Sequence, residues 1–405
     1  MIAVPLLSVF GIQWNTSLNP HRFEDRSCSL NGRILGKVHH ENMQAVLELT
    51  TEDHYEMGLA QGYLFGEQIQ EAFQHVLMPM MSLCGVLTGD FSGEFYSRQT
   101  QLITIPEPYY REIQGLVAGV RQWAKQRGVS MSLTEDQVLN AHKLTDIYKA
   151  IGCQRLFGIA GFNAFGCSTA VVKKGDELAV ARTLDWPSMG KMGELAYIRR
   201  HKANGKQIEM QAFAGVIGAH TVFNQDGLVA IINENGTISR AGTPYAMLCR
   251  QVIEQCATIE QADAMLKSKD YHPASSHHLT LADNTSAAIY QMVLDDDRKF
   301  IKRELDFTKV NDFIVVTNHT FTDQNEILEN TLCDPTSKAR CKAMSETLAS
   351  ELQTDHSLTD IVQKALQAVN VMDTVATAHY NLTRHDGEKV RVVKYAHNNF
   401  WAAKL

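Results

Sequence analysis

Cys167 opens a short β-type run, Cys-Ser-Thr-Ala-Val-Val, directly behind Gly166. A polar turn, Lys173-Lys-Gly-Asp-Glu177, leads into a second run that carries Arg182 and Asp185, fifteen and eighteen residues past the cysteine. One hairpin returns both side chains to the start of its first strand, so the spacing puts a guanidinium and a carboxylate beside the sulfur. A cation near a thiol stabilises the thiolate, the form that attacks a carbonyl carbon. The glycine ahead of the cysteine permits unusual backbone geometry or a close approach. Ser168 and Thr169 set this run apart from a plain apolar core strand. The chemistry this points to is nucleophilic attack by Cys167.

The other seven cysteines, at 28, 84, 153, 249, 256, 333 and 341, have no such setting. Cys249 and Cys256 share one helical pattern and read as small core residues. Cys333 and Cys341 flank a turn that leaves a disulfide open. No CxxC and no Cys/His cluster with zinc-ligand spacing occurs, and the cysteines are too sparse for a disulfide scaffold.

The elements around the hairpin change character at about residue 166. Before it, two β-type runs, Gly32–Val38 and Met43–Thr50, precede a helix that opens at the capping-type start Thr51-Glu-Asp-His. That helix carries Gly58, Gly62 and Gly66 at four-residue spacing. Each glycine costs helix stability, roughly 1 kcal/mol against alanine, so the stripe predicts close approach by another element. Helical patterns follow at Gln68–Met78, with Pro79 expected to end or kink it, then Pro106–Gln126 and Ser132–Ile151. The apolar cluster Leu77, Met78, Met80, Met81 and Leu83 reads chiefly as core and offers a surface for an acyl chain. After residue 166 come β-type runs at 167–173, 178–185, 195–201, 206–214, 218–224 and 227–233, helices at 243–256 and 259–268, then runs at 277–283, 287–294 and 313–318. Helices at 338–352 and 357–369 precede runs at 374–382 and 389–396. Close-spaced strands interrupted by helix pairs predict an α+β layered domain and argue against a doubly wound parallel sheet.

Composition excludes several classes. With 405 residues, 44% hydrophobic and 20% charged, and a net charge of −7, the chain has the balance of a soluble globular protein and no basic field for nucleic acid. No apolar run approaches the ~18–20 residues that span a bilayer. The apolar start, Met1 to Ile12, lacks a basic n-region and an obvious cleavage site, so the expected compartment is the cytoplasm, with a secreted or periplasmic location left open.

The hairpin residues resemble a known group. Gly-Cys-Ser-Thr-Ala with Ala181-Arg-Thr-Leu-Asp-Trp186 is similar to the cysteine N-terminal-nucleophile (Ntn) hydrolases. The likeness is strongest to the isopenicillin N acyltransferase (peptidase C45) group, to which acid ceramidase and the choloylglycine (bile salt) hydrolases are related. Phe223-Asn-Gln-Asp-Gly-Leu228 with Ile231-Ile-Asn-Glu-Asn-Gly236 resembles the group's paired strands ending in a functional asparagine. Val316-Thr-Asn-His319 resembles the segment of its second asparagine, and Ser337-Lys-Ala-Arg340 that of its later arginine. The Gly58 to Gly66 helix resembles the front of the acyltransferase group.

The resemblance implies a four-layer αββα sandwich of two antiparallel sheets, with residues 1–166 as an N-terminal helical segment and 167–405 as the catalytic domain. It implies self-cleavage of the Gly166–Cys167 bond by the same thiol, with the cut segment staying bound. A free α-amine has a reference pKa near 7.7–8.0, and on the nucleophile's own residue it is permanently positioned. In that scheme Cys167 attacks a linear amide and its α-amine shuttles the proton. Arg182 stabilises the thiolate or holds a substrate anion, and Asp185 orients the amine. Asn233 and Asn318 donate to the oxyanion, and Arg340 supports the site. No cofactor and no metal is expected, because a thioester route needs neither. The expected partner is a small-molecule amide, and the oligomeric state is left open. Two alternatives stand beside this reading: a papain-type Cys/His hydrolase with His277, His278 or His319 as base, and an uncleaved scaffold with a binding role.

Overall fold

The computed structural model describes residues 23–41, 44–82, 94–150, 166–186, 188, 191–239, 241–293, 299–321, 336–369, 374–382, 384–385 and 388–389. Its strands, in chain order, are β1 (Arg26–Leu30), β2 (Arg33–Glu41), β3 (Gln44–Leu49), β4 (Cys167–Lys174), β5 (Glu177–Asp185), β6 (Ala196–Ala203) and β7 (Lys206–Phe213). They continue with β8 (Thr221–Asn224), β9 (Val229–Ser239), β10 (Ser275–Ala282), β11 (Ala287–Val293), β12 (Lys299–Glu304), β13 (Asn311–Val316) and β14 (Thr374–Asn381). The helices used below are α1 (His54–Leu64), α2 (Gly66–Ala72), α3 (Glu94–Leu102), α4 (Glu107–Arg127), α5 (Glu135–Ala150), α6 (Tyr245–Gln255), α7 (Ile259–Leu266), α8 (Ser337–Glu351) and α9 (Leu358–Val369).

Two sheets result. The larger has ten strands in the order β1-β2-β3-β6-β7-β8-β9-β10-β11-β12, antiparallel except for the parallel pair β3–β6. The smaller is antiparallel, in the order β13-β4-β5-β14. The hairpin strands β4 and β5 lie at its centre and are buried on both faces, so their alternation sorts side chains between two apolar layers. Val171 and Val180 pack with Ile231 and Ile289 between the sheets. Ala170, Val172, Ala179 and Ala181 pack outward on α8 and α9 through Met344, Leu348, Ile361 and Ala365. The far face of the large sheet is covered by α1, α4 and α6 through Met57, Leu116 and Leu248. The order of layers is helix, sheet, sheet, helix, an α+β sandwich as expected.

The glycine stripe does what its spacing predicts. A Cβ on Gly58 would collide with the Glu112 carbonyl, and one on Gly62 with that of Leu116. In return Gly115 and Gly119 of α4 close on the carbonyls of Tyr55 and Leu59. The α1 and α4 backbones are therefore in direct contact. Asp53 caps α1 by accepting from the Glu56 N–H at 3.0 Å, and Gly128 closes α4 in the left-handed region at φ 66°.

Three details depart from the sequence reading. The segment before Cys167 contributes three strands to the large sheet, one more than the two β-type runs read there, as well as its helices. Strands β1 and β12, at the two edges of the large sheet, were not anticipated. Pro79 does not end its helix: a π-helical turn, Phe73–Leu77, precedes it and the helical path runs on to residue 82. Leu83, the 389–396 run beyond Lys389, and Cys84, Cys153 and Cys333 lie outside the described residues, whereas Cys28, Cys167, Cys249, Cys256 and Cys341 are free thiols. Among the described residues no helix is long and apolar enough to cross a membrane.

Candidate active site

The β4–β5 register sets Cys167 opposite Leu184 and Thr169 opposite Arg182. Cys167 and Arg182 are thus diagonal neighbours on one face, the one turned toward the large sheet. Arg182 is fully buried, and its Nη2 donates to Cys167 Sγ at 3.0 Å. The guanidinium is held by Thr221 Oγ1 at 2.7 Å and by the carbonyls of His220 and Ile232 at 3.2 and 3.3 Å. All three holders belong to the large sheet or its approach, so the packing of the sheets aims the cation at the sulfur.

Asp185 alternates to the other face of β5, toward α8, and so does not flank the sulfur as the hairpin alone suggested. Its backbone N–H donates to the Gly166 carbonyl at 2.7 Å, and its Oδ1 accepts from Thr374 Oγ1 at 2.6 Å. A Cβ placed on Gly166 would lie 2.7 Å from Asp185 Oδ2 and 3.3 Å from Arg340 Nη2. Glycine at 166 is what lets the chain pass between those two groups.

Arg340 projects from the first turn of α8 into the same space. Its Nη1 donates to the Cys167 carbonyl at 2.7 Å and to Ser168 Oγ at 2.6 Å, and its Nη2 to Asn318 Oδ1 at 2.6 Å. Asn318, just past β13, also accepts from the Cys167 backbone N–H at 3.0 Å, while its Nδ2 donates to the Glu234 carbonyl at 2.8 Å. Asn233 of β9 accepts from Thr169 Oγ1 at 2.7 Å and donates to the Val316 carbonyl at 3.2 Å. The two asparagines bridge the sheets beneath Cys167. The structure therefore brings Cys167, Arg182, Asp185, Asn233, Asn318 and Arg340 together.

Burial pushes the Cys167 thiol above its ordinary value; Asp185 adds to the rise, while Arg182, the Glu234 main chain and Arg340 oppose it. In the intact chain the group is therefore a protonated thiol held against a guanidinium. Two of the three candidate bases, His277 and His319, are engaged elsewhere. His277 contacts Tyr271 OH at 2.8 Å and the Ser275 carbonyl at 3.1 Å. His319 Nδ1 contacts Ser337 Oγ at 2.9 Å and Thr317 Oγ1 at 3.1 Å. Burial and then Arg182 push His220 down to about 3, so it is neutral beside the site. Among the described residues no histidine hydrogen-bonds Cys167.

Several contributors carried no signal of their own. Thr374 reaches Asp185 across a β5–β14 register that nothing local specifies. Ser337 accepts from the Asn318 N–H at 2.8 Å, yet in sequence it stands only as a neighbour of Arg340. No group of three His, Cys, Asp or Glu side chains among the described residues has the geometry to hold a metal ion.

No curated protein matches the sequence. Among solved structures, the chain is similar to the Caenorhabditis elegans N-acylethanolamine-hydrolyzing acid amidase (NAAA) ortholog, with a TM-score of 0.43 and 16% identity over 54% of this chain and 94% of that one. It is also similar to two variants of the conjugated bile acid hydrolase from Clostridium perfringens. One has a TM-score of 0.38 and 11% identity over 57% of this chain and 93% of that one. The other has a TM-score of 0.37 and 10% identity over 57% and 97%. A model of the family described as acyl-coenzyme A:6-aminopenicillanic acid acyl-transferase matches residues 172–396, more than half of the chain, and the chain belongs to that family of N-terminal-nucleophile enzymes.

Proposed function

We propose that this protein is a self-processing cysteine amidase or acyltransferase that works on a linear amide through a thioester at Cys167. The observation that carries the reading is the pair of contacts on that residue: Arg182 Nη2 lies 3.0 Å from Sγ, and Asn318 Oδ1 lies 3.0 Å from the backbone nitrogen that cleavage would turn into an α-amine.

Maturation begins when Sγ attacks the Gly166 carbonyl carbon. Negative charge then grows on the carbonyl oxygen, which the Asp185 N–H already holds. The C–N bond breaks, the acyl group passes to sulfur, and the Cys167 nitrogen takes a proton to become an amine. Water hydrolyses the thioester, leaving a Gly166 carboxylate and a free thiol. In turnover the amine accepts the thiol proton as Sγ attacks the substrate amide and returns it to the departing amine of the substrate. Asp185, Asn318 and Arg340 orient that amine, and the Nδ2 groups of Asn233 and Asn318 are the candidate donors to the oxyanion. Water or a second amine then takes the acyl group, so hydrolysis and transfer share every step up to the thioester.

A small pocket of about 30 Å³ is lined by Leu77, His142, Trp186, Val216 and Met247 together with His220, whose carbonyl holds Arg182. Its imidazoles are neutral, since burial lowers both. The test is acid-quenched mass spectrometry after mixing with N-acyl amides. The reading expects an acyl adduct on the fragment bearing Cys167, removable by hydroxylamine. A Cys167→Ala variant with full amidase activity would overturn it.

A further inference from the structure

A cavity of about 370 Å³ lies where the start of α1, the start of α4, the end of β6 and the end of α6 meet. It shares no lining residue with the pocket beside His220. Its inner wall is apolar and firmly held: Met57 and Tyr109 are buried. The Arg250 guanidinium sits 4.9 Å from the centre of the Tyr109 ring, and His54 meets that ring edge-on at 5.5 Å. The Tyr109 hydroxyl donates to Glu254 Oε2 at 2.8 Å, so its proton is already used. The outer wall is polar, with Glu52 ahead of α1 and Lys202 on β6.

We propose that this cavity binds a free α-amino acid, its ammonium taken by Glu52 and His54 and its carboxylate by Lys202. The site is independent of the reading of Cys167 and stands or falls apart from it.

Charges at neighbouring positions of the β6–β7 hairpin are paired, Arg200 with Glu41 and Glu209, and Lys206 with Asp226. Glu52 and Lys202 line one cavity, and among the described residues neither forms an ion pair. Glu52 Oε2 accepts from the Gly205 N–H at 3.3 Å, which ties it to the turn after Lys202 and leaves its other oxygen for a ligand. An acid and a base in one cavity, not paired with each other, complement a small molecule that carries both signs. His54 adds an acceptor. Its Nδ1 lies 2.8 Å from Glu112 Oε2. Burial acts to raise Glu112, but Arg199 and Arg250 hold it well below the usual carboxylate range. That oxygen therefore only accepts, so Nδ1 is the donor and Nε2 keeps its lone pair for a ligand N–H. The amino acid's side chain then meets Met57, Pro108 and Tyr109. The space, about 370 Å³ against about 30 Å³ beside His220, admits a whole small molecule. A plain amine would leave Lys202 unmet, and a plain acid would leave Glu52 unmet.

The experiment is isothermal titration calorimetry of the full-chain protein with each of the standard amino acids, then with the methyl ester and the N-acetyl derivative of the tightest binder. At least one amino acid is expected to bind with a Kd below about 1 mM. Esterification, N-acetylation, Lys202→Ala and Glu52→Ala should each weaken it about fivefold, the most that one exposed ion pair usually contributes. Both side chains are exposed, so the two variants should melt where wild type does. No binding of any amino acid up to about 10 mM overturns the proposal, and so does binding that neither variant weakens. An ester that binds as tightly as its parent makes the ligand a simple amine, and an N-acetyl derivative that does so makes it a simple acid. Either result overturns the amino-acid assignment.

Discussion

At the scale of single residues, the two ends of Cys167 are handled by different faces of one hairpin. The sulfur meets Arg182 on the face between the sheets, the backbone meets Asn318 and Arg340, and Asp185 holds the carbonyl of Gly166 just ahead of it. If Asp185 serves the amine that cleavage creates, Asp185→Asn should slow both self-cleavage and amide turnover, each by about a hundredfold or more. Gel densitometry of the precursor and a continuous amidase assay read the two rates. A variant that slows only one of them would separate the roles assigned to that carboxylate. Gly166→Ala is expected to slow cleavage at least tenfold, because the added methyl meets Asp185 Oδ2; unchanged processing would show that the carboxylate moves aside cheaply. Sequence spacing alone carried Cys167 and Arg182, since one hairpin joins them. Asn233, Asn318 and Arg340 entered only through resemblance, because contacts such as Arg340 to the Cys167 carbonyl span most of the catalytic segment. Thr374 was not legible at all: its meeting with Asp185 depends on strand pairing set by the whole small sheet.

At the scale of elements, glycine decides how the front segment packs. Helices α1 and α4 approach closely enough that Gly62 has the Leu116 carbonyl against its Cα. Gly62→Ala gains intrinsic helix propensity of roughly 1 kcal/mol yet should destabilise the protein by about 1–3 kcal/mol through overpacking. Urea denaturation followed by fluorescence checks the sign, and a more stable Gly62→Ala protein would contradict the packing. The stripe was legible because glycine repeated at helical spacing has few other uses. Strands β1 and β12 were not, and for a shared reason. Both are edge strands, and edges carry polar and charged residues that suppress pairing with other chains; Lys299-Phe-Ile-Lys-Arg-Glu304 shows no clean alternation for that reason. Pro79 does not stop its helix, whose path passes through a π-turn over Phe73–Leu77 just upstream of it.

At the scale of the whole molecule, the layers follow from burial patterns, but the partnership between the front and catalytic segments does not. The front segment carried helical and β-type runs in sequence, and only the parallel pairing of β3 with β6 reveals that its strands extend the catalytic sheet. A consequence of that sealed interior is acid sensitivity. Burial, aided by nearby arginines, lowers His201 and His220 to about 3, and burial with Lys338 and arginines lowers His319 to about 4. Unfolded histidine titrates near 6.5, so between that value and about 3–4 the unfolded chain binds protons that the folded one does not. The contribution of these groups is full above pH ~6.5 and is lost as pH falls through that window. Thermal melts should therefore shift downward from pH 7 to pH 4.5, and a melting temperature that rises over that interval would contradict the neutral interior. The central claim, that Cys167 severs its own chain, is tested most directly by intact-mass analysis of purified wild type beside Cys167→Ala. The account predicts two wild-type fragments meeting at Gly166–Cys167 and a single uncut variant. A whole wild-type chain, or a variant cut at the same bond, would contradict it.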